Sequence, residues 1–207
     1  MKYSNNGHLK NNGTLVVEEA VKNRYEKAAS KQVKELCCPV SYNPEYLKVI
    51  PQEILEKDYG CGDPSRYLKE GDTVLDLGSG AGKICFIASQ VVGSKGKVLG
   101  VDFNPAMLSL ARKYQTNIGD KIGWHNVTFL RGKIQDLKTD LDLLEKLIFD
   151  KPIRTLGDYE NFQNKIEECH FTKPLIPDES IDCIVSNCVL NLVRPEDKLE
   201  LFREMHR

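Results

Sequence analysis

Three glycines at alternate positions, Gly78, Gly80 and Gly82, form the stretch of this sequence best suited to binding a ligand. They follow a short apolar run, and a helix-like pattern begins directly after them. Glycine lets a backbone approach a ligand closely, and a helix N-terminus offers free N–H groups. Asp102 ends a second apolar run about 20 residues later, where an acidic side chain binds a ribose diol in a βαβ unit. The pattern predicts a nucleotide-type ligand, with an ordinary tight turn as the alternative.

The seven cysteines are the other residues with useful chemistry. Cys61 lies in a Gly-Cys-Gly loop that offers no core to bury it, which favours a functional role. Cys188 lies at the end of an apolar run, and the sequence leaves two roles open for it, packing in the core or a function at the site. Cys37 and Cys38 could join Cys61 in a zinc site, although no C-x-x-C pair occurs. Two cysteines within apolar patterns are predicted to be core residues: Cys85 and Cys183.

Strand-like and helix-like patterns alternate through the second part of the chain. Strands are predicted at 74–77, 97–102, 126–130 and 180–187. Asn104 and Pro105 predict the start of a helix that ends near Asn117. This alternation predicts an α/β fold, with a doubly wound, mostly parallel sheet and helices on both faces. Ligands bind at the carboxyl ends of the strands in such a sheet, where the glycine loop and Cys188 fall.

The sequence divides into three regions. Residues 1–15 are predicted to be a disordered tail, and 16–72 to be a helical segment with a cysteine-containing loop. Within that segment, one helix is expected from about 16 to 36 and another from 44 to 57, broken at Pro51. Residues 73–207 are predicted to be the ligand-binding domain.

Two features depart from a simple α/β pattern. An insertion at about 138–177 separates the last two strands, with helices expected at 141–149 and 159–169. Three roles are open for this insertion: a lid over the site, a surface that binds a partner, or an added structural element without such a role. The sequence also stops inside a helix that begins at Pro195, after only four strands. We therefore expect a truncated or shortened member of its fold class.

Composition narrows the functional classes. The formal net charge of −1 gives no sign of a nucleic-acid or membrane-surface partner. No apolar run is as long as a transmembrane helix, and the polar N-terminus lacks a signal-peptide core. Seven cysteines without regular spacing fit a reducing compartment better than a disulfide scaffold. We therefore expect a cytoplasmic protein with a small-molecule substrate.

Several segments together resemble the class I S-adenosylmethionine-dependent methyltransferases, and within them the arsenite methyltransferases. The broad resemblance rests on VLDLGSGAGK, GVDFNPAML and SIDCIVSN. The narrower one rests on YGCG at 59–62, NVTF at 126–129 and SNCVLNLV at 186–193. It covers roughly residues 20–137 and 177–207. The resemblance implies a Rossmann-like fold and S-adenosylmethionine as the cofactor.

The resemblance further implies that cysteines hold trivalent arsenic while it is methylated. Cys61 and Cys188 match two of the family's arsenic-binding cysteines, and Cys38 or Cys37 matches a third. Soft thiolates suit a thiophilic centre such as arsenic. The implied substrate is arsenite or its thiol conjugate, the implied partner is a thiol reductant such as glutathione or thioredoxin, and the implied process is arsenic detoxification. Methylation of an organic small molecule and non-catalytic binding of a metalloid by thiols are the alternatives.

The same resemblance assigns residues to the cofactor. Nine residues are expected to line its site: Asp76, Gly78, Ser79, Gly80, Asp102, Phe103, Ile134, Gln135 and Asn187. Asp102 is expected to accept both ribose hydroxyls, Phe103 to lie against the adenine, and Asn187 to lie near the reacting methyl group. Asp76 has two open roles: it binds the donor's amino group or the loop amides, or it is a buried acid that satisfies the turn.

Overall fold

The computed structural model describes residues 41–57 and 62–207. Several predictions lie outside this part of the chain: the tail at 1–15, the helix at 16–36, and the residues Cys37, Cys38 and Cys61. Among the described residues, no helix has both the length and the apolar character needed to cross a membrane.

Four parallel strands form one sheet. They are Thr73–Leu77 (β1), Lys97–Asp102 (β2), Val127–Arg131 (β3) and Cys183–Ser186 (β4). Their order is β3-β2-β1-β4, and each neighbouring pair is parallel. The chain moves outward from β1 to β3 and then crosses back to place β4 on the other side of β1. This reversal opens a crevice at the carboxyl ends of β1 and β4.

Helices pack on both faces of this sheet. The seven α-helices of the described part are Pro44–Leu47 (α1), Gln52–Leu55 (α2), Lys83–Val92 (α3), Pro105–Ile122 (α4), Leu141–Asp150 (α5), Leu156–Thr172 (α6) and Lys198–His206 (α7). Because strand side chains alternate between faces, Val74 of β1 joins the core beneath α3 and α4, whereas Leu75 and Leu77 join Leu201 of α7. The predicted α/β fold with a parallel sheet is confirmed.

Local sequence signals explain most helix boundaries. The expected break at Pro51 is confirmed, since α1 ends before it and Pro51 is the N-cap of α2. At the start of α4 the Asn104 side chain accepts hydrogen bonds from the N–H groups of Ala106 and Met107. The predicted end of α4 near Asn117 is wrong, because the helix continues to Ile122. Gly123 then ends it with a φ of 89°.

The segment predicted to be an insertion contains two helices, α5 and α6, as expected. Neither helix contains a fully buried residue. At its two ends the chain comes together again, since the N–H groups of Leu175 and Ile176 donate to the carbonyls of Lys138 and Leu137 at 3.0 and 2.9 Å. The insertion therefore leaves the sheet and returns to it at one place.

Glu53 of α2 joins the N-terminal segment to α4. Its carboxylate accepts hydrogen bonds from Lys113 Nζ at 2.8 Å and from Tyr114 Oη at 2.5 Å. Mainly because of the Lys113 bond, and then the Tyr114 bond, the pKa of Glu53 falls from its ordinary value of 4.5 to about 2. A carboxyl group with a lowered pKa stabilises the folded state above its unfolded pKa and loses that effect as the pH falls.

We therefore expect Glu53→Gln to flatten the acid side of the stability profile between pH 4.5 and about 2. Urea unfolding midpoints measured across this range for the wild type and the variant test the expectation. Glu70→Gln, which changes an exposed glutamate before β1, is the matched control. Parallel profiles for the wild type and Glu53→Gln would show that the contact has no pH-dependent role.

Candidate active site

A cavity opens at the carboxyl edge of the sheet, where the reversal of strand order places a crevice. Its wall contains all nine residues expected at the cofactor, together with Cys188. They come from four places in the chain: the end of β1 and its glycine loop, the end of β2, the segment after β3, and the end of β4. The roles given to these residues are still predictions, but the structure brings all ten side by side.

The glycine loop is fixed to β2 and packed against the chain after β4. The N–H groups of Gly78 and Ser79 both donate to the carbonyl of Val101, at 2.8 and 3.1 Å. Gly78 has a φ of 79°, and a Cβ placed on it would lie 2.5 Å from Val189 Cγ2. Only glycine fits there. Since Val189 directly follows Cys188, this contact brings the end of β4 to the glycine loop.

Asp102 is held in place by backbone donors at the end of β2. One oxygen accepts the N–H of Gly80 at 2.8 Å, and the other accepts the N–H of Asn104 at 2.8 Å. Burial raises the pKa of Asp102, while the backbone bonds from Asn104, Gly80 and Phe103 oppose that rise. Each carboxylate oxygen has more than one acceptor position, so Asp102 can still accept bonds from a ligand in the cavity.

Asp76 lies at the base of the cavity, only 2% exposed. Cys85 Sγ of α3 donates to Asp76 Oδ2 at 3.3 Å. Burial, followed by the nearby Asp76 charge, raises the pKa of the Cys85 thiol well above its usual range. Cys85 is therefore a protonated core residue, as predicted from the sequence, and it contributes a hydrogen bond to a cavity-lining acid.

Two buried polar atoms in the cavity wall lack a hydrogen-bond partner within the described part of the chain. They are Ser79 Oγ and Asn104 Nδ2. Buried polar groups are normally satisfied, and leaving one unpaired costs about 1–3 kcal/mol. Because these two atoms face a cavity, a polar ligand bound there can form the hydrogen bonds that they lack.

Cys188 follows β4 in an unusual backbone conformation. Its φ of 58° lies in the left-handed region, which residues other than glycine rarely adopt. Such strain persists where the surrounding structure fixes the chain, often at functional sites. Cys188 is disulfide-bonded, whereas Cys85, Cys169 and Cys183 are free. The other predicted arsenic ligands, Cys38 and Cys61, lie outside the described residues.

Comparison with known proteins connects this geometry to a family. The sequence model for a methyltransferase domain matches residues 68–207. The chain belongs to this family. The methyltransferase resemblance stated from the sequence is thereby confirmed.

The relatives of this chain include several named for one substrate. Arsenite methyltransferase from Aquipseudomonas alcaligenes is 33% identical over 92% of this chain and 47% of its own length. Human arsenite methyltransferase is 33% identical over 79% of this chain and 34% of its own length. An arsenic(III) S-adenosylmethionine methyltransferase from Chlamydomonas reinhardtii has a crystal structure that matches with a TM-score of 0.56 and 31% identity, over 81% of this chain and 44% of that one. The chain thus spans less than half the length of these relatives.

Sequence reasoning did not identify two groups at or next to this cavity, the Lys83 side chain and the Gly62 carbonyl. Lys83, the first residue of α3, lines it, is only 7% exposed, and places Nζ 3.6 Å from the centre of the Tyr42 ring. Its position directly after the glycine loop was the available signal. No local signal existed for the Gly62 carbonyl, which accepts hydrogen bonds from Tyr42 Oη at 3.0 Å and from Asn187 Nδ2 at 2.7 Å.

Proposed function

We propose that this methyltransferase transfers a methyl group from S-adenosylmethionine to trivalent arsenic held by cysteine thiolates. The observation that supports this most directly is that Cys188 shares a cavity wall with the glycine loop and Asp102. A site for the methyl donor and a thiol for the acceptor then meet in one cleft. The names of the relatives supply the substrate class. The proposal includes a cytoplasmic location and a role in arsenic detoxification.

The cavity fits S-adenosylmethionine on several counts. Asp102 offers carboxylate oxygens for the two ribose hydroxyls. Ser79 Oγ and Asn104 Nδ2 are buried without a hydrogen-bond partner among the described residues, and polar groups of the ligand can supply one. Phe103 and Ile134 give the wall apolar surface against which an adenine ring can pack. Polar groups and apolar surface are thus both present for a ligand of this shape.

In the proposed reaction the residues of this chain bind the two reactants and orient them toward each other. When bound, S-adenosylmethionine supplies an electrophilic methyl group, which the arsenic lone pair attacks as the donor's sulfur leaves with the bonding electrons. Thiolates from Cys188, Cys61 and Cys38 or Cys37 hold the arsenic and leave that lone pair free. Near-attack positioning of two reactants lowers a barrier by several kcal/mol. Each thiol that binds arsenite forms an As–S bond as one As–O bond breaks, and its proton leaves with the hydroxyl group as water. Because the thiolate is the attacking form, the rate of this ligation should rise as the pH rises through the thiol pKa values.

A thiol reductant belongs to the proposed cycle for two reasons. Cys188 is disulfide-bonded, and a disulfide sulfur must first be reduced to a thiolate before it ligates arsenic. In addition, methylation takes arsenic from the trivalent to the pentavalent state, and returning it to the trivalent state needs two electrons. Glutathione or thioredoxin supplies them by forming a disulfide.

Mass spectrometry of reactions containing the protein, S-adenosylmethionine, glutathione and arsenite tests the proposal. We expect methylated arsenic that is absent when the protein or the methyl donor is omitted. Tight, thiol-dependent arsenite binding without a methylated product would instead indicate a non-catalytic metalloid binder. Neither binding nor product would favour methylation of an organic small molecule.

A further inference from the structure

Two buried charges of opposite sign lie in the wall of the cavity. Among the charged residues of the described part of the chain, Asp76 and Lys83 are the least exposed, at 2% and 7%, and both line the cavity. Charged side chains are rarely buried without a group of opposite charge nearby. A buried acid and a buried base in one wall suit a ligand group that carries both charges. The α-ammonium and α-carboxylate of an amino acid form such a group.

Lys83 lies at a position where a lysine is electrostatically unfavourable. It is the first residue of α3, and Gly82 before it provides no side-chain cap. A helix N-terminus carries a positive partial charge, so a cation there is disfavoured and an anion is favoured. Ser79 Oγ, a buried hydroxyl without a partner among the described residues, belongs to the same wall and can donate to an anion as well. This corner of the cavity is therefore suited to a carboxylate.

The contacts of Lys83 place it toward the β4 side of the cavity. Its Nζ lies 3.6 Å from the centre of the Tyr42 ring, and Tyr42 Oη donates to the Gly62 carbonyl at 3.0 Å. The same carbonyl accepts a hydrogen bond from Asn187 Nδ2 at 2.7 Å, just after β4. An aromatic ring stabilises an ammonium group without neutralising its charge, so Lys83 can still attract an anion. Asp102, in contrast, lies at the end of β2.

Resting on S-adenosylmethionine as the methyl donor of the proposed function, we propose that Lys83 binds the α-carboxylate of its amino-acid end. Asp76 then accepts from the α-ammonium, and Asp102 accepts from the ribose hydroxyls. The two ends of the donor are held by different charges, which fixes the direction in which the donor lies along the carboxyl edge of the sheet. Lys83 is thus a specificity residue, because it favours donors that carry a carboxylate.

Removing one group from the ligand tests this contact directly. S-adenosylhomocysteine, which is the donor without its methyl group, has the complete amino-acid end, and its decarboxylated form lacks only the carboxylate. We expect isothermal titration calorimetry on the wild-type chain to show about 10- to 100-fold weaker binding of the decarboxylated ligand, the range for a lost hydrogen bond to a charged group. Equal affinities for the two ligands would overturn the inference.

Substitutions of Lys83 separate its charge from its packing. Lys83→Met removes the charge, so it should bind S-adenosylhomocysteine about 10- to 100-fold more weakly and the decarboxylated ligand within about 3-fold of wild type. Lys83→Arg keeps a cation that can stack on Tyr42, and it should bind S-adenosylhomocysteine at least about 5-fold more tightly than Lys83→Met. Lys97→Met is the matched control, because Lys97 is exposed at the amino end of β2. It should bind both ligands like the wild type.

The outcomes separate this inference from the proposed function. If the wild type binds neither ligand, the methyl-donor site is wrong and the inference falls with it. If Lys83→Met weakens both ligands equally, or neither, Lys83 does not bind the carboxylate. If the ligands are discriminated as expected but no methylated arsenic forms, the proposed acceptor is wrong and the inference stands. The wild-type comparison needs no variant, so it decides the question even if Lys83→Met does not fold.

Discussion

Replacing Asp102 with asparagine should raise the dissociation constant for S-adenosylmethionine by about 30- to 100-fold. The carboxylate accepts the N–H groups of Gly80 and Asn104, one on each oxygen. An amide has one acceptor oxygen and one NH₂ group, so one backbone donor would face another donor. The ribose would also lose its bidentate acceptor. Hydrogen bonds to a charged group contribute about 1.5–3 kcal/mol each, and 2.7 kcal/mol corresponds to 100-fold.

Isothermal titration calorimetry with the methyl donor measures this effect. Asp182→Asn is a close control, because Asp182 Oδ2 also accepts a backbone N–H, that of Thr73, at 2.8 Å. That bond lies at the amino end of β1, away from the cavity, so the control should bind the donor like the wild type. An affinity for Asp102→Asn within 3-fold of wild type would remove Asp102 from the cofactor site.

The sequence was sufficient to predict features that depend on local geometry. A glycine loop between a strand and a helix has a recognisable spacing, and the acid at the end of the next strand has a typical offset. Gly78, Gly80 and Asp102 could therefore be identified without coordinates, and the structure places them in one cavity wall. Asn104 and Pro105 likewise indicated the start of α4.

Features that depend on tertiary contacts were not predictable. The Gly62 carbonyl meets Asn187 from 125 positions away, and no local pattern signals such a pairing. The end of α4 was misjudged for a related reason. Ile118 and Gly119 are buried against the rest of the domain, so packing extends the helix past a polar stretch that would end it in isolation.

Replacing Cys188 with serine should abolish arsenic methylation and weaken phenylarsine oxide binding by more than about 100-fold. Serine has nearly the same shape, but its hydroxyl is a hard donor that does not replace a thiolate at a soft centre. Losing an outer-shell partner of a bound metal costs about 10- to 100-fold, and losing a direct ligand should cost more. Cys169→Ser is the matched control, because Cys169 is a free, half-buried thiol in the insertion.

A second substitution separates the chemistry of Cys188 from its backbone. The residue has a φ of 58°, which glycine adopts without strain. Under reducing conditions, Cys188→Gly should therefore unfold at the same or a higher urea concentration than Cys188→Ser, because strain of this kind costs about 1 kcal/mol or more. Cys188→Gly should be as inactive with arsenic as Cys188→Ser. If either variant still methylates arsenite at the wild-type rate, Cys188 is not an arsenic ligand. If Cys188→Gly is less stable than Cys188→Ser, contacts of the side chain stabilise the end of β4 against the glycine loop more than the strained turn destabilises it.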